Sequence, residues 1–563
     1  MRWPRDTSGG TAPSAGVGRR LEGVAFAGAV AVIVGSLFAP RLLPCVDYAQ
    51  HLALADVARR LLSPGAPEHA LFELNLFTYY GLVHLVVAAL SLVLPIEIAG
   101  KVVLGGALAL TAASTWRLLR ALGRPVEYAA LFVPMLFSFS VSWGFLNYLV
   151  ALAVAFAALA EVARQVQAPT RRGTAITAGL SLVCAMTHPL AMLVLWVFAG
   201  SLALELAWRS TGGGADGPSP SLSPALLSAP RLVAVAERAA LGLAPTLPGG
   251  LWCAAVYLGH DQGMPHVTDT RDIVFWPKIL RFSVFATDLH ADRTDADILY
   301  ATLEVMAAIA VAALAVTLVR RARGARVPAA APVPTTGGVL VLPFVALLAC
   351  YLAMPMIFMG SQLMFPRLVP ALFLSALLVL PRIDSAPLAD AARVACLVVA
   401  WWGALNLSAH LRQYGRETDD ASRLIDHLPP GRRASALVFR DFTDAFWRGG
   451  LLHLAAYYAA RKHGDWAYSF ARYDYMPVRY RAGRAPPWPE HGWEFDPKAY
   501  DPRSPYARAY DLLLIKTPET EPIEDEGELR ARIFGPDAPT PRLLSHEGLY
   551  WAFDTAGIPE RVP

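Results

Sequence analysis

This chain is predicted to be a polytopic α-helical membrane protein with a C-terminal α/β domain, on three observations. Residues 22–410 hold one long apolar run after another, residues 411–563 have ordinary soluble composition, and arginines cluster between the runs. Only 17% of the 563 residues are charged, against about 25% in soluble domains. The formal net charge of +4 is small and no basic stripe occurs, so no nucleic-acid partner is expected. Five cysteines, Cys45, Cys184, Cys253, Cys350 and Cys396, lie in or beside apolar runs without paired spacing. Neither disulfides nor a zinc knuckle is expected from them.

A polar, basic tail, residues 1–22, precedes the first apolar segment, Val24 to Leu43. That segment lacks a small-residue cleavage site and is expected to stay as a first helix. Spanning needs about 17–25 apolar residues. The transmembrane domain, 23–410, offers segments 23–43, 76–95, 98–118, 126–142, 145–163, 174–187, 189–207, 240–258, 299–319, 339–358, 366–382 and 391–409, giving 11–12 hydrophobic helices. The run 174–207 is divided at His188-Pro189, because proline lacks a backbone donor and disfavours helix at the preceding residue.

Orientation follows from the positive-inside rule. Arg2, Arg5, Arg19 and Arg20 place the N-terminus in the cytoplasm, and Arg117, Arg120 and Arg124, Arg164, Arg171 and Arg172, and Arg320, Arg321, Arg323 and Arg326 mark further cytoplasmic turns. The loops 44–75 and 259–298 and the domain 411–563 then lie outside. Counting from the two ends disagrees by one crossing, so 76–95 or 98–118 is expected not to cross. The first is the better candidate, because Tyr79, Tyr80 and His84 suit an interfacial or re-entrant helix. Arginine outnumbers lysine 44 to 5 beside abundant Ala, Gly and Pro. That usage suggests a GC-rich bacterial genome and hence the bacterial inner membrane.

In the C-terminal domain, Ala434–Phe439, Ala467–Phe470 and Asp511–Lys516 read as strands. Residues 411–428, Leu451–Lys462 and Glu526–Phe534 read as helices, and Arg542–Ser545 with Leu549–Phe553 as a closing hairpin. Strands alternating with helices predict an α/β sandwich with a largely parallel sheet. The stretch 474–508, rich in Pro, Tyr and Arg, marks a long loop.

On this topology the polar residues of the membrane part gather on the outer side. Asp47 and His51, in Pro-Cys-Val-Asp-Tyr-Ala-Gln-His, follow the first helix and share one helix face. Ser142, Trp143 and Asn147 lie at the next outer corner, and His188 at the 174–207 break. Loop 259–298 carries His260, Asp261, His266 and further acids, with an apolar stretch Ile273–Ala286 suited to lie on the membrane surface. Gln362 and Arg367 begin the segment after the last outer turn. Ionisable groups at membrane depth cost several kcal/mol unless paired or hydrated, so their default reading is functional. Each also has a structural reading: Asp47 as a helix cap, His188 as a kink marker, Asn147 as a helix-end partner, and Arg367 as a snorkelling cation. His453, opening a helix of the domain, reads as structural.

An acid just after the first helix, interfacial helices beyond it and a soluble outer domain together resemble the GT-C superfamily of membrane glycosyltransferases. Asp47 stands at the matching acid position, followed by Tyr48 where many members carry a second acid, and the Trp-Trp-Asp tripeptide of oligosaccharyltransferases is absent. The resemblance implies sugar transfer from a polyprenyl-phosphate donor to an extracytoplasmic glycan, lipid or protein acceptor. Asp47 would then be the general base, and His51 would orient it or bond the phosphate. Arg367 would face the phosphate, and Asn147, His188, His260, Asp261 and Gln362 would line the substrate pocket. No cofactor is required, and a divalent metal held by Asp47, His51 and a loop acid is compatible with this scheme. Two other readings stand beside it: a transporter or flippase of lipid-linked or small substrates, and a non-catalytic protein of envelope polysaccharide assembly.

Overall fold

Pro13–Ser36 form the first helix, after which the chain turns through residues 37–47 into a second helix, Tyr48–Leu61. This second helix is buried along almost its whole length although it carries Gln50, His51 and Asp56. It is packed between the helix Gly81–Leu90 and the helix Leu454–Lys462 of the C-terminal part. Close approach is made possible by Gly100, where an added Cβ would meet the side chains of Tyr48 and Leu52. The computed structural model describes residues 13–211, 228–259, 275–287, 289–323, 339–358, 361–489, 492–520, 522, 523, 525–535 and 541–556.

A buried polar group left without a partner costs about 1–3 kcal/mol, so the polar residues of this helix dictate what must lie against it. Gln50 Oε1 accepts from the Trp466 indole N–H at 2.6 Å and from Phe470 N at 3.3 Å, and its Nε2 donates to Tyr468 O at 3.1 Å. Asp56 is ion-paired to Arg59 at 2.7 Å and Arg60 at 3.0 Å, and its Oδ2 lies 2.9 Å from His463 Nδ1. The helix is thus fixed to the C-terminal part by specific bonds as well as by apolar contact.

Among the described residues, six helical segments are long and apolar enough to cross a membrane: Ile96–Ala121, Leu146–Gln167, Pro189–Thr211, Ala229–Gly259, Thr294–Ala322 and Ala386–Glu417. Shorter apolar helices fill the bundle. The expected break at His188-Pro189 is present, between Arg171–Ala185 and Pro189–Thr211. The segment 76–95 contains only the ten-residue helix Gly81–Leu90. At 1.5 Å per residue that is about 15 Å, too short for a hydrocarbon core of about 30 Å. The segment 126–142 is 3₁₀-helical over Val126–Phe137 instead of α-helical, with Pro134 inside it and thus no N–H for an α-type bond there. The expected surface helix at Ile273–Ala286 is, where described, two short helices, Phe275–Leu280 and Phe282–Ala286. Lys278 holds them to the bundle by donating to Leu352 O at 2.8 Å and Met354 O at 2.5 Å, at the C-terminal end of Leu342–Ala353. Cations are favoured at that end of a helix.

Seven strands occur among the described residues: β1 Phe72–Leu74, β2 Arg433–Val438, β3 Asp465–Trp466, β4 Val478–Tyr480, β5 Leu512–Lys516, β6 Arg542–Glu547 and β7 Tyr550–Asp554. Five form one sheet in the order β3-β2-β5-β7-β6. The pairs β2/β3 and β2/β5 are parallel, but β5/β7 and β6/β7 are antiparallel. The sheet is therefore mixed, not largely parallel. The closing hairpin β6/β7 is as expected, and a two-residue turn joins strands too close in sequence to run parallel. The remaining pair, β1 with β4, is antiparallel and joins the segment after the Tyr48–Leu61 helix to the long Tyr-rich loop.

Replacing Gln50 with Leu should leave Trp466 Nε1 and Tyr468 O unpartnered. Destabilisation by roughly 1–3 kcal/mol is expected, read as a lower thermal midpoint and faster protease cleavage between residues 411 and 480.

Candidate active site

Asp47 is the residue before the Tyr48–Leu61 helix, yet its side chain makes no capping bond. Its position is set from the backbone. Val46 N–H donates to Ser142 O at 2.8 Å and Asp47 N–H to Trp143 O at 2.9 Å. This pairing brings Gly144 against the start of the helix, where a Cβ would stand 2.5 Å from Tyr48 N and 2.9 Å from Asp47 N. Gly144 also has φ +73, which side chains rarely tolerate. With capping excluded, the carboxylate turns toward the C-terminal part. Asp47 Oδ1 lies 3.3 Å from His453 Nε2, and His453 Nδ1 lies 2.7 Å from Glu494 Oε1. His453 thus bridges two carboxylates. Burial opposes charging it, but Glu494 and Asp47 outweigh burial and raise its pKa to about 10. It is an imidazolium at neutral pH, donating from both nitrogens. Asp47 Oδ2 has no hydrogen-bond partner among the described residues.

His51 sits one turn beyond Asp47 but does not contact its carboxylate. Its Nδ1 lies 3.1 Å from His84 Nε2, and His84 Nδ1 donates to Tyr80 O at 2.8 Å. The carbonyl fixes the proton of His84 on Nδ1, so His84 Nε2 accepts and His51 carries its proton on Nδ1. His51 Nε2 is left with a lone pair. Burial first, then His84, His453 and Arg367, depress its pKa well below the ordinary range, so His51 is neutral. The expected role of orienting Asp47 falls geometrically to His453 instead.

Arg367, just before the helix Val369–Val379, is half-buried and stands over the Phe145 ring, 3.7 Å from its centroid. Its Nη2 donates to the carbonyl of Gln362 at 3.0 Å, and Nη1 is 3.4 Å from His188 Nε2. The Gln362 side chain itself is exposed. His188 meets two obligate donors, Leu190 N–H at Nδ1 (3.1 Å) and Arg367 Nη1 at Nε2 (3.4 Å), and the neutral ring accepts from one; the shorter contact puts the ring proton on Nε2. Two donors, His188 Nε2–H and the guanidinium, therefore face each other, an arrangement suited to a shared anionic acceptor. Tyr80 and Tyr148 pack edge-on against His188, with centroids 5.2 and 5.3 Å away, and the Tyr148 hydroxyl donates to Arg367 O. No carboxylate among the described residues pairs with its guanidinium within 4.0 Å.

Asn147 is buried near the start of the helix Leu146–Gln167, with both side-chain polar atoms unpartnered. Ser140 Oγ, Ser142 Oγ and Trp143 Nε1 are also unpartnered. This corner adjoins Asp47 through the backbone bonds just described. His260 and Asp261 lie outside the described residues. Sequence reasoning missed Glu494, Tyr475 and the pairing role of His453, all in the C-terminal part. It also passed over Tyr148, and it used Tyr80 and His84 only for topology. A basis for suspecting the Tyr-rich loop existed in its composition, but nothing in the sequence aligned it with Asp47. A metal held by Asp47, His51 and a loop acid finds no support, because His51 Nδ1 is engaged by His84 and Asp47 Oδ1 by His453.

Raising the pKa of His453 makes its contribution to stability complete below about pH 6.5, its ordinary value, and lost as pH rises through about 10. The wild-type thermal midpoint should therefore fall over that window more steeply than that of His453→Gln. Equal slopes in differential scanning measurements would contradict the bridge. Gly144→Ala should cost roughly 1–2 kcal/mol from its left-handed backbone alone, with more from the clash at Tyr48 N, read as lowered expression and thermal midpoint.

No family model matches the sequence, and no curated protein matches it. Among solved structures, this chain is similar in outline to ArnT from Cupriavidus metallidurans, crystallised bound to undecaprenyl phosphate: TM-score 0.49, 12% sequence identity, covering 97% of this chain and 99% of that chain.

Proposed function

We propose that the protein is a membrane glycosyltransferase that moves a sugar from a polyprenyl-phosphate donor to an acceptor hydroxyl on an extracytoplasmic glycan, lipid or protein. The observation that carries this reading is a pair of complementary charged groups joined through one network of histidines and tyrosines. A carboxylate with one free oxygen, Asp47, stands across from a half-buried cation, Arg367, that has no carboxylate partner among the described residues. A cation in such a setting is incompletely compensated, and a guanidinium beside an imidazole N–H suits a phosphate.

Sugar transfer would use these groups as follows. Asp47 Oδ2 takes the proton of the acceptor hydroxyl as its oxygen attacks the anomeric carbon. The bond from that carbon to the phosphate oxygen breaks, and the electron pair leaves with the polyprenyl phosphate. Arg367 and His188 Nε2–H stabilise the charge gathering there. His453, fixed by Glu494, holds Asp47 Oδ1 so that Oδ2 faces the acceptor. Neutral His51 and the unpartnered donors of the 140–147 corner supply hydrogen bonds for sugar or acceptor hydroxyls. The domain-bearing end of the bundle would face the extracytoplasmic side, as the basic clusters indicate. A transporter would instead be expected to place its polar groups near the midplane, whereas here they gather beside the C-terminal part.

Asp47→Asn should lower transfer by roughly 10²–10⁴-fold at unchanged protein level. Arg367→Lys should also impair it, because one ammonium cannot reproduce the planar fork. The check is the profile of lipid-linked sugars and glycans in cells carrying each variant as the sole copy. An unaltered profile for Asp47→Asn would sink the enzyme reading.

A further inference from the structure

We propose that His290, Asp292 and His410 form a binding site for one divalent cation of the zinc class, sharing no residue with the Asp47 cleft. One donor atom from each lies within 4.8 Å of the others. His410 projects from the helix Ala386–Glu417, and His290 and Asp292 precede the helix Thr294–Ala322.

The tautomer of His410 sets the chemistry of the cluster. Its Nδ1 is 3.0 Å from Asn406 O, and a carbonyl only accepts, so the proton is on Nδ1. This is the arrangement that orients metal-binding histidines. In neutral His410, Nε2 then presents a lone pair, and it faces Asp292 Oδ2 at 3.2 Å. Two acceptors do not hold each other there; a positive centre must join them, either a second proton or a metal ion. Asp292 is prepared for this as well. Its Oδ1 is occupied by Thr294 N–H at 3.1 Å and Thr294 Oγ1 at 2.8 Å, which leaves Oδ2 to the centre. Thr294 Oγ1 is held in turn by Asn406 Nδ2 at 2.8 Å.

His290 closes the set. Its ring stacks on that of His410, with centroids 3.8 Å apart and planes 12° from parallel. Lone pairs of parallel rings run side by side, so binding requires the two rings to hinge apart, His290 turning about its side-chain torsions. The Asp292 side chain is 51% exposed, which gives a solvent ion its entry. Two imidazoles and one carboxylate leave a fourth tetrahedral position for water. Imidazole donors favour zinc-class ions over magnesium or calcium. The consequence is structural: Ala291 N bonds Ala445 O and Trp447 N bonds Leu289 O, both at 3.2 Å. A metal here would cross-link a long bundle helix to the loop that docks on the C-terminal part.

The test uses full-length protein purified through a histidine-free tag, stripped with chelator and titrated with Zn²⁺, with Mg²⁺ and Ca²⁺ as controls. One equivalent of zinc should be retained through gel filtration and should raise the thermal midpoint, with neither control ion doing so. Asp292→Asn, at a half-exposed position that leaves the fold intact, and His410→Asn should each weaken zinc binding by roughly tenfold or more and abolish the rise. Asp47→Asn should keep both. Zinc retention no greater than in the chelated blank would overturn the proposal, with a proton then joining His410 to Asp292. Retention unchanged in both site variants but lost in His260→Asn/His266→Asn would equally overturn it.

Discussion

Everything around the candidate site depends on burying one polar helix, Tyr48–Leu61, between a helical bundle and the sheet-bearing C-terminal part. Apolar helices pack against lipid or against each other with little discrimination. Gln50 and Asp56 cannot, because each needs named partners once removed from water. Trp466, Tyr468, Phe470 and His463 supply them. The register of the C-terminal part on the bundle is thereby specified by hydrogen bonds. That register in turn decides which histidine meets Asp47.

The candidate site joins contributions that are distant in the chain and opposite in character. Asp47 and Arg367 come from the bundle, His453 and Glu494 from the C-terminal part, and Tyr475 from the loop paired through β4 to β1. Proton positions are dictated by neighbours that have only one role available: carbonyls at His84 and His410, a backbone N–H at His188. Three histidines are thereby assigned their donor and acceptor faces before any ligand arrives.

Much of this was legible in the sequence, and the failures have physical causes. Apolar length located the helices, and Pro189 located a break, because both are local properties. The 3₁₀ conformation of Val126–Phe137 was not legible, since its apolar composition fits either helix. The mixed sheet is not legible in the sequence, because strand direction depends on connections that alternation of strands and helices does not reveal. The cost of placing ionisable groups at membrane depth singles out Asp47, His188 and Arg367 in the sequence. His453 was passed over because it opens a helix of ordinary soluble composition, where that cost argument has no force. His51 was given a contact with Asp47 that spacing permits but His84 prevents.

The pairing of β1 with β4 has a consequence in time. Asn75 Nδ2 bonds Asp474 O across a sequence separation of 399 residues. At about 5–20 residues per second of synthesis, such a gap amounts to roughly 20–80 s. During that interval Asp47 is already made while His453, Tyr475 and Glu494 are not. A nascent chain therefore passes through a long stage with an open, half-walled cleft. The contacts of Asp47 with His453, and of His453 with Glu494, form only once that later segment has docked on the bundle.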